Sequence, residues 1–135
     1  MISNLHDAIK MLPGSSLAAL QRSIFSAGQF YALSGVGAEV NPFPVLGFTR
    51  DRLPRTRFSA KSVSCKTFDK DALHALELFG KALDSNREVF IVRRGQLLIV
   101  NQLLVAHGRL PLGPQESLKP AERRLVLQLF LRKNW

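Results

Sequence analysis

Three stretches of the chain place apolar residues at the spacing of one helix face. The first ends at Pro13-Gly14, the second covers residues 15–25, and the third and clearest runs from Asp71 to Leu83. The faces consist of Leu5, Ala8, Ile9 and Leu12, then Leu17, Leu20 and Ile24, then Ala72, Leu76, Phe79 and Leu83. The expected capping residues are Ser3, Ser15 or Ser16, and Asp69 or Asp71. The pattern predicts two short helices followed by one longer helix.

The remaining apolar runs are short, and turn residues separate them. They predict strands at 43–48, 57–60, 88–92, 96–101, 103–109 and 125–131, with an Arg94-Gly95 turn and a proline-rich loop at 111–120. Strands that fold back on one another after a single packing helix favour an antiparallel barrel or jelly roll. The expected fold class is therefore mainly β with flanking helices (α+β).

Length and composition indicate one domain over residues 1–135. It divides into a helical segment at 1–25, a loop with short strands at 26–68, and the helix with later strands at 69–135. Hydrophobic residues make up 46% and charged residues 21%, which excludes general disorder. No apolar run is long enough for a membrane span, and the first residues do not resemble a signal peptide. We expect a cytoplasmic protein that does not bind membranes.

The formal net charge is +9, from 19 Lys and Arg against 10 Asp and Glu. A basic balance can indicate nucleic-acid binding. Here the basic residues are spread along the chain in runs of at most two, which weighs against a phosphate-binding face. An anionic small substrate or an acidic partner chain explains the charge equally well.

Among the three histidines, His107 is the candidate for chemistry. His6 and His74 fall in predicted helices, where a packed or surface role is expected. His107 follows the apolar run 103–106 and precedes Gly108, so it can point into a barrel interior. From the residues alone, a hydrogen-bonded core histidine remains the alternative.

The segment 95–112 resembles the C-terminal signature of the clavaminate synthase-like and taurine dioxygenase-like family, which are iron(II)- and 2-oxoglutarate-dependent oxygenases. That signature is a glycine, an apolar strand, Asp-Asn, and a short strand leading to His-Gly-Arg. Here His107-Gly108-Arg109 closes the segment. The family's last strand, with Arg-Arg followed by apolar residues and a further Arg, matches 123–132. The resemblance is strong over 95–132 and looser over the preceding chain.

The resemblance implies specific roles. His107 would be the last of three iron ligands, which leaves other iron positions to 2-oxoglutarate and O2. Arg124 would hold the distal carboxylate of 2-oxoglutarate, because a planar guanidinium suits a carboxylate. Contacts to substrate or to the ligands are expected from Arg109, Asn101 and Gln128. The resemblance implies no catalytic side chain beyond the metal ligand.

The sequence also departs from the family pattern. The family completes its iron site with an upstream His-X-Asp or His-X-Glu, which this chain lacks at all three histidines. The pair is expected before Met1. Asn101-Gln102 stands in place of Asp-Asn, and Gln128 replaces a second arginine on the last strand.

The interpretation is the C-terminal half of a double-stranded β-helix (jelly roll), completed by a partner chain that supplies the two missing ligands. The assembled hetero-oligomer would hydroxylate or otherwise oxidise a small amino-acid-like substrate. Three alternatives stay open: a fragment of a longer oxygenase, a non-catalytic oxygenase-like subunit, and a basic nucleic-acid-binding domain.

Overall fold

The computed structural model describes residues 1–27, 41–60, 63–65, 67–93, 95–101 and 104–108. Along these residues the elements are β1 (Ile2–Asn4), α1 (Leu5–Lys10), α2 (Gly14–Leu20), β2 (Phe25–Ala27), β3 (Leu46–Phe48), β4 (Pro54–Thr56), β5 (Val63–Cys65), α3 (Lys70–Ser85), β6 (Arg87–Glu88) and β7 (Val105–His107). None of the described helices is long and apolar enough to span a bilayer.

The strands form small antiparallel sheets. One sheet has three strands in the order β6-β1-β7, so the first strand of the chain lies between the last two described. The other two sheets pair β2 with β5 and β3 with β4. The described fold is thus mixed α/β with small antiparallel sheets. The jelly-roll half remains a prediction.

Helix α3 is the element around which the rest packs. Its N-cap is Asp69, whose Oδ1 accepts a hydrogen bond from the Ala72 N–H at 3.0 Å. The buried face carries mostly small residues, Ala72, Ala75, Phe79 and Ala82, and it packs against α1 and α2. Small side chains on that face let the other helices approach closely. The prediction of this helix and of an aspartate cap is confirmed.

The hydrophobic core lies between the helices and the β2–β5 and β3–β4 strand pairs. Phe79 is fully buried, and its ring meets that of Phe58 edge-on, with centroids 5.1 Å apart and planes at 66°. The other large, fully buried side chains are Phe25, Leu5, Leu20, Leu46 and Val45. The predicted apolar faces of all three helices contribute to this core.

The amino end differs from the prediction in its first element. Ser3 does not cap α1, because it lies in β1 and its hydroxyl donates to the Asn86 side chain. Asn4 is the cap instead, and its Oδ1 accepts from the His6 N–H at 2.9 Å. Helix α2 begins after Pro13 without a side-chain cap, so the serine predicted there is wrong as well.

Several predicted strands are shorter than expected or shifted. The strand expected at 57–60 is β4 at 54–56, because the chain leaves the pair after Arg57 and carries Phe58 to the Phe79 ring. Of the hairpin expected at 88–101, only Glu88 lies in a described strand. The described residues between 89 and 100 belong to no strand. The strand at 103–109 is confirmed as β7, and the one at 125–131 lies outside the described residues.

Candidate iron-ligand site

The candidate ligand His107 lies at the end of β7, paired with the first residues of the chain. The antiparallel register sets Ile2 opposite His107 and Ser3 opposite Ala106. The His107 side chain is exposed, so it is not the packed core histidine that the residues alone allowed. Its immediate neighbour in the sheet is therefore an isoleucine, which cannot bind a metal.

The hydrogen bonds across β1 and β7 fix which way the backbone of His107 faces. The Gly108 N–H donates to the Met1 carbonyl oxygen at 3.0 Å, and the Leu5 N–H donates to the Leu104 carbonyl oxygen at 2.9 Å. Antiparallel strands alternate hydrogen-bonded and non-hydrogen-bonded pairs. Ser3 and Ala106 then form the bonded pair between these two. His107 and Ile2 form a non-bonded pair, which turns the His107 N–H and carbonyl away from β1.

Asn86, at the C-terminal end of α3, ties this sheet to the helical core. Its side-chain nitrogen donates to the Asn4 carbonyl oxygen at 3.2 Å, and its side-chain oxygen accepts from the Ser3 hydroxyl. Asn86 thus binds two consecutive residues of β1, the strand on which β7 rests. No local pattern in the sequence predicts this contact, because it joins residues at distant positions in the chain.

Glycine at position 108 leaves room for the first residue of the chain. A Cβ there would lie 2.8 Å from the Cε atom of the Met1 side chain. The methionine is flexible, so a larger residue would displace it rather than break the strand. The glycine after His107 therefore permits close packing at the end of β7.

The other predicted site residues fall into two groups. Asn101 is exposed, and its backbone carbonyl accepts from the N–H groups of Leu104 and Val105 at 2.9 and 3.1 Å in the turn that leads into β7. Arg109, Arg124 and Gln128 lie outside the described residues. The structure thus places Asn101 in the turn before the His107 strand.

The described residues do not complete an iron site. No group of three or more His, Cys, Asp or Glu side chains able to hold a metal occurs among them. His6 and His74 lie on α1 and α3 and are exposed. Glu88 and His107 lie on the two strands that flank β1, and both are opposite Ile2, which therefore separates them in the sheet. The role of His107 as an iron ligand therefore stays a prediction.

A long apolar segment next to this sheet is exposed to solvent. Within residues 89–99, the large apolar side chains exposed are Val89, Ile91, Val92, Leu97, Leu98 and Ile99, with Ile91 82% and Leu97 83% exposed. A turn closed by the Gln96 N–H and the Arg93 carbonyl oxygen at 3.0 Å separates its two halves. Patches of this kind on soluble proteins commonly mark interaction surfaces. We call the described residues of 89–99, where the sequence predicts a hairpin, the apolar hairpin segment.

Comparison with solved structures identifies proteins of similar fold. The non-heme iron oxygenase OrfP in complex with Fe matches with a TM-score of 0.63 and 21% identity, over 86% of this chain and 39% of that one. Asparagine oxygenase in complex with Fe(II), 2S,3S-3-hydroxyasparagine and succinate matches with a TM-score of 0.52 and 22% identity, over 63% of this chain and 26% of that one. A variant of OrfP in complex with (3S)-hydroxy-L-Arg matches with a TM-score of 0.50 and 18% identity, over 77% of this chain and 33% of that one.

These neighbours are an asparagine oxygenase with bound Fe(II) and the non-heme iron oxygenase OrfP, and at 18–22% identity the likeness confirms the resemblance at the level of the fold. The chain spans between about a quarter and two fifths of their length. No protein-family model matches the sequence, and no curated protein matches it.

Proposed function

We propose that this chain is the C-terminal subunit of a non-heme iron(II)- and 2-oxoglutarate-dependent oxygenase. A second chain supplies the His-X-Asp/Glu ligands that this sequence lacks. The observation that carries the proposal is the fold match to OrfP, which extends over 86% of this chain but only 39% of the longer oxygenase.

His107 provides one iron ligand in this proposal. The imidazole is exposed at the end of β7, in a position that another element can reach. Arg124 binds the distal carboxylate of 2-oxoglutarate, and Asn101, Arg109 and Gln128 contact the ligands or the substrate. Iron(II) held at this site would supply the activation of O2 that couples oxidative decarboxylation of 2-oxoglutarate to oxidation of the substrate. Because the described residues offer one ligand, the chain by itself is expected to bind iron weakly.

The substrate is a small amino-acid-like molecule. The solved neighbours were crystallised with a hydroxylated asparagine and with a hydroxylated arginine, and one of them also with succinate. Succinate is what 2-oxoglutarate becomes when it is oxidatively decarboxylated, which supports the choice of cosubstrate. Hydroxylation of an amino acid or its derivative is therefore the reaction to test first.

The exposed side chains of the apolar hairpin segment support the proposal of a second chain that covers them. Burying its exposed side chains against a partner would contribute roughly 25 cal/mol per Å² of apolar surface removed from water. The basic charge of this chain favours a net-acidic partner.

The test is native purification of the complex, with mass spectrometry of its chains and measurement of iron per complex. A second chain with His-X-Asp/Glu and one iron per pair are expected, and His107→Ala should remove iron and turnover together. His74→Ala, on α3, is the matched control and should leave both unchanged. Iron content and turnover that survive His107→Ala would contradict the assignment of His107.

The non-catalytic subunit is the second candidate. Asn101 and Gln128 stand where the family has an aspartate and an arginine. A complex that contains both chains, binds iron and consumes no 2-oxoglutarate would favour it.

A further inference from the structure

The positive charge of the chain is concentrated around the β3–β4 hairpin. Residues 40–68 carry six Lys and Arg against one acidic residue, Asp51, so this stretch holds +5 of the +9 of the whole chain. The short basic runs hide this concentration, because it comes from the near absence of acidic residues. An excess of one sign on one element attracts partners of the opposite sign. Four of the six are arginines of the hairpin: Arg50, Arg52, Arg55 and Arg57.

Three of these arginines have no acidic partner among the described residues. Arg50, Arg52 and Arg55 are exposed, and none of them forms an ion pair with a described carboxylate. By contrast, Lys81 and Arg87 each pair with a carboxylate three or four positions earlier in the chain. The three hairpin arginines are therefore available to an anion of a binding partner.

The register of the hairpin leaves open surface beside Arg55. Gly47 lies directly opposite Arg55, so no side chain covers it from β3. Among the described atoms, a Cβ at Gly47 would meet only the Arg55 carbonyl oxygen, at 3.9 Å. Arg57, two positions further along the same face, lies over the Phe43 ring with its guanidinium carbon 4.4 Å from the ring centre. Two guanidinium groups thus share one face of the hairpin, with room beside them for a carboxylate.

The turn at the tip of the hairpin fixes the positions of Arg50 and Arg52. The Arg52 N–H donates to the Thr49 carbonyl oxygen at 3.0 Å, and the Leu53 N–H donates to Thr49 Oγ1 at 3.1 Å. Arg52 has a φ of +59°, a left-handed conformation that favours glycine. The arginine therefore does not suit the backbone of this turn, which makes its side chain a candidate for binding.

We propose that the β3–β4 hairpin binds an acidic segment of a protein partner, whose carboxylates pair with Arg50, Arg52 and Arg55. A planar guanidinium group forms two parallel hydrogen bonds to a carboxylate, which a lysine ammonium cannot do. The inference goes beyond the proposed function, because it requires neither iron nor 2-oxoglutarate.

A nucleic acid fits this surface less well than an acidic peptide. Surfaces that bind single strands combine basic side chains with aromatic rings on which successive bases stack. Phe43 is buried beneath Arg57, and the Phe58 ring packs against Phe79, which leaves Phe48 as the exposed ring of the hairpin. One ring cannot follow successive bases. In an extended peptide, alternate side chains share a face, so its carboxylates can match arginines that are two positions apart.

The test titrates a labelled synthetic peptide of alternating glutamate and serine into the full chain and measures fluorescence anisotropy. The acidic peptide should bind, with an affinity that falls on adding salt, because the pairs are exposed. A peptide with glutamine in place of every glutamate should not bind. Arg52→Gly should weaken binding of the acidic peptide by about two- to fivefold, the range of an exposed ion pair. It should not lower the melting temperature, because glycine suits the positive φ.

Gly47→Glu tests the face of Arg55 without removing any arginine. The new carboxylate would lie opposite Arg55 and pair with it across the strands, so the acidic peptide should bind more weakly by a similar factor. Gly47→Gln has the same size without the charge and should bind like the unmodified chain. Arg87→Gln changes the net charge as much as Gly47→Glu does, but outside the hairpin, and should leave binding unchanged.

Four outcomes would overturn the proposal. The acidic peptide may show no binding at all. Equal losses in Gly47→Glu and Arg87→Gln would mean that the overall charge of the chain attracts the peptide. A lower melting temperature for Arg52→Gly with unchanged affinity would make Arg52 a residue that stabilises the turn. Tighter binding of a single-stranded oligothymidylate of equal charge, weakened by the same substitutions, would identify a nucleic acid as the ligand.

Discussion

Arg22 and Asp69 form an ion pair, with Arg22 Nη1 2.8 Å from Asp69 Oδ2, that joins the end of α2 to the start of α3. The same carboxylate accepts the Ala72 N–H as the cap of α3. Asp69 therefore stabilises both the first turn of the longest helix and its contact with α2.

This double role predicts a stability that depends on pH. The Ala72 N–H and, less strongly, Arg22 lower the pKa of Asp69 below its ordinary value of 3.8. Because the folded-state pKa is lowered, the stabilisation that the ionised Asp69 carboxylate gives to the fold is fully present above the unfolded-state pKa. It is lost as pH falls through the lower folded-state pKa. Asp69→Asn keeps the cap acceptor and removes the charge. Its stability deficit should be constant near neutral pH and disappear in strong acid.

Urea unfolding from pH 7 to pH 2 checks this prediction. Glu77→Gln is the control, because the pKa of Glu77 is also lowered, mainly by its hydrogen bond from Lys81, but that pair is exposed. Its effect should vanish on adding salt. A deficit for Asp69→Asn that stays constant down to pH 2 would contradict the assigned role.

Phe79 is the buried aromatic side chain of α3 and should dominate the stability of the core. Phe79→Ala removes its edge contact with Phe58 and leaves a cavity, so we expect a loss of about 3–5 kcal/mol in the free energy of unfolding. Leu73→Ala, on the exposed side of the same helix, should cost far less. Denaturant titrations of the two variants make the comparison, and equal losses would show that α3 is not packed as described.

Two glycines should respond to alanine with opposite signs. Gly80 lies inside α3, and a Cβ there would meet Phe58 at 3.6 Å, an ordinary contact. Gly80→Ala should therefore stabilise the chain by about 0.5–1 kcal/mol. Gly95 has a φ of +81°, which an alanine rarely adopts, so Gly95→Ala should destabilise its turn. The melting temperatures of the two variants test this prediction. A higher melting temperature for Gly95→Ala would contradict the positive φ at that turn.

The apolar hairpin segment should make the isolated chain self-associate. Ile91→Lys combined with Leu97→Lys places charge on two of its most exposed side chains and should shift sedimentation toward the monomer. Phe68→Lys changes a side chain that is 91% exposed outside the segment and serves as the control. If the unmodified chain already sediments as a compact monomer, the segment does not drive self-association.

The sequence predicted α3 well because its signals are local. A capping aspartate and a helical run of apolar residues lie within 69–83, and no distant partner is needed to interpret them. The apolar run before His107 predicted β7 in the same way. Its meaning as part of an iron site came from the family resemblance rather than from periodicity.

The errors of prediction have a non-local cause. Ser3 has the residue type of a good helix cap, which predicts a helix start there, yet it lies in β1 and its partners Asn86 and Ala106 are far away in sequence. Apolar residues at 88–101 have strand composition, but a strand also needs a neighbour. Of the described residues in that range, only Glu88 lies in a strand, where it pairs with Ile2. Strand pairing depends on which distant segments the fold brings side by side, and local residue patterns do not specify this.

The resemblance assigns Arg124 to the distal carboxylate of 2-oxoglutarate, and the predicted consequence is specific. A hydrogen bond to a charged group contributes roughly 1.5–3 kcal/mol, so Arg124→Ala should weaken 2-oxoglutarate binding by about tenfold to a hundredfold. Arg124→Lys should recover only part of this, because an ammonium keeps the charge without the planar fork. Iron content should be nearly unchanged, since Arg124 is not a ligand.

Arg123 provides the matched control for this titration of 2-oxoglutarate into the iron-loaded complex under nitrogen. Adjacent residues of a strand point to opposite faces, so Arg123→Ala should have a much smaller effect. Equal losses at both positions would mean that general positive charge attracts the cosubstrate, in line with the +9 of the chain. A larger loss at Arg123 would instead shift the predicted strand by one residue and make Arg123 the carboxylate-binding side chain.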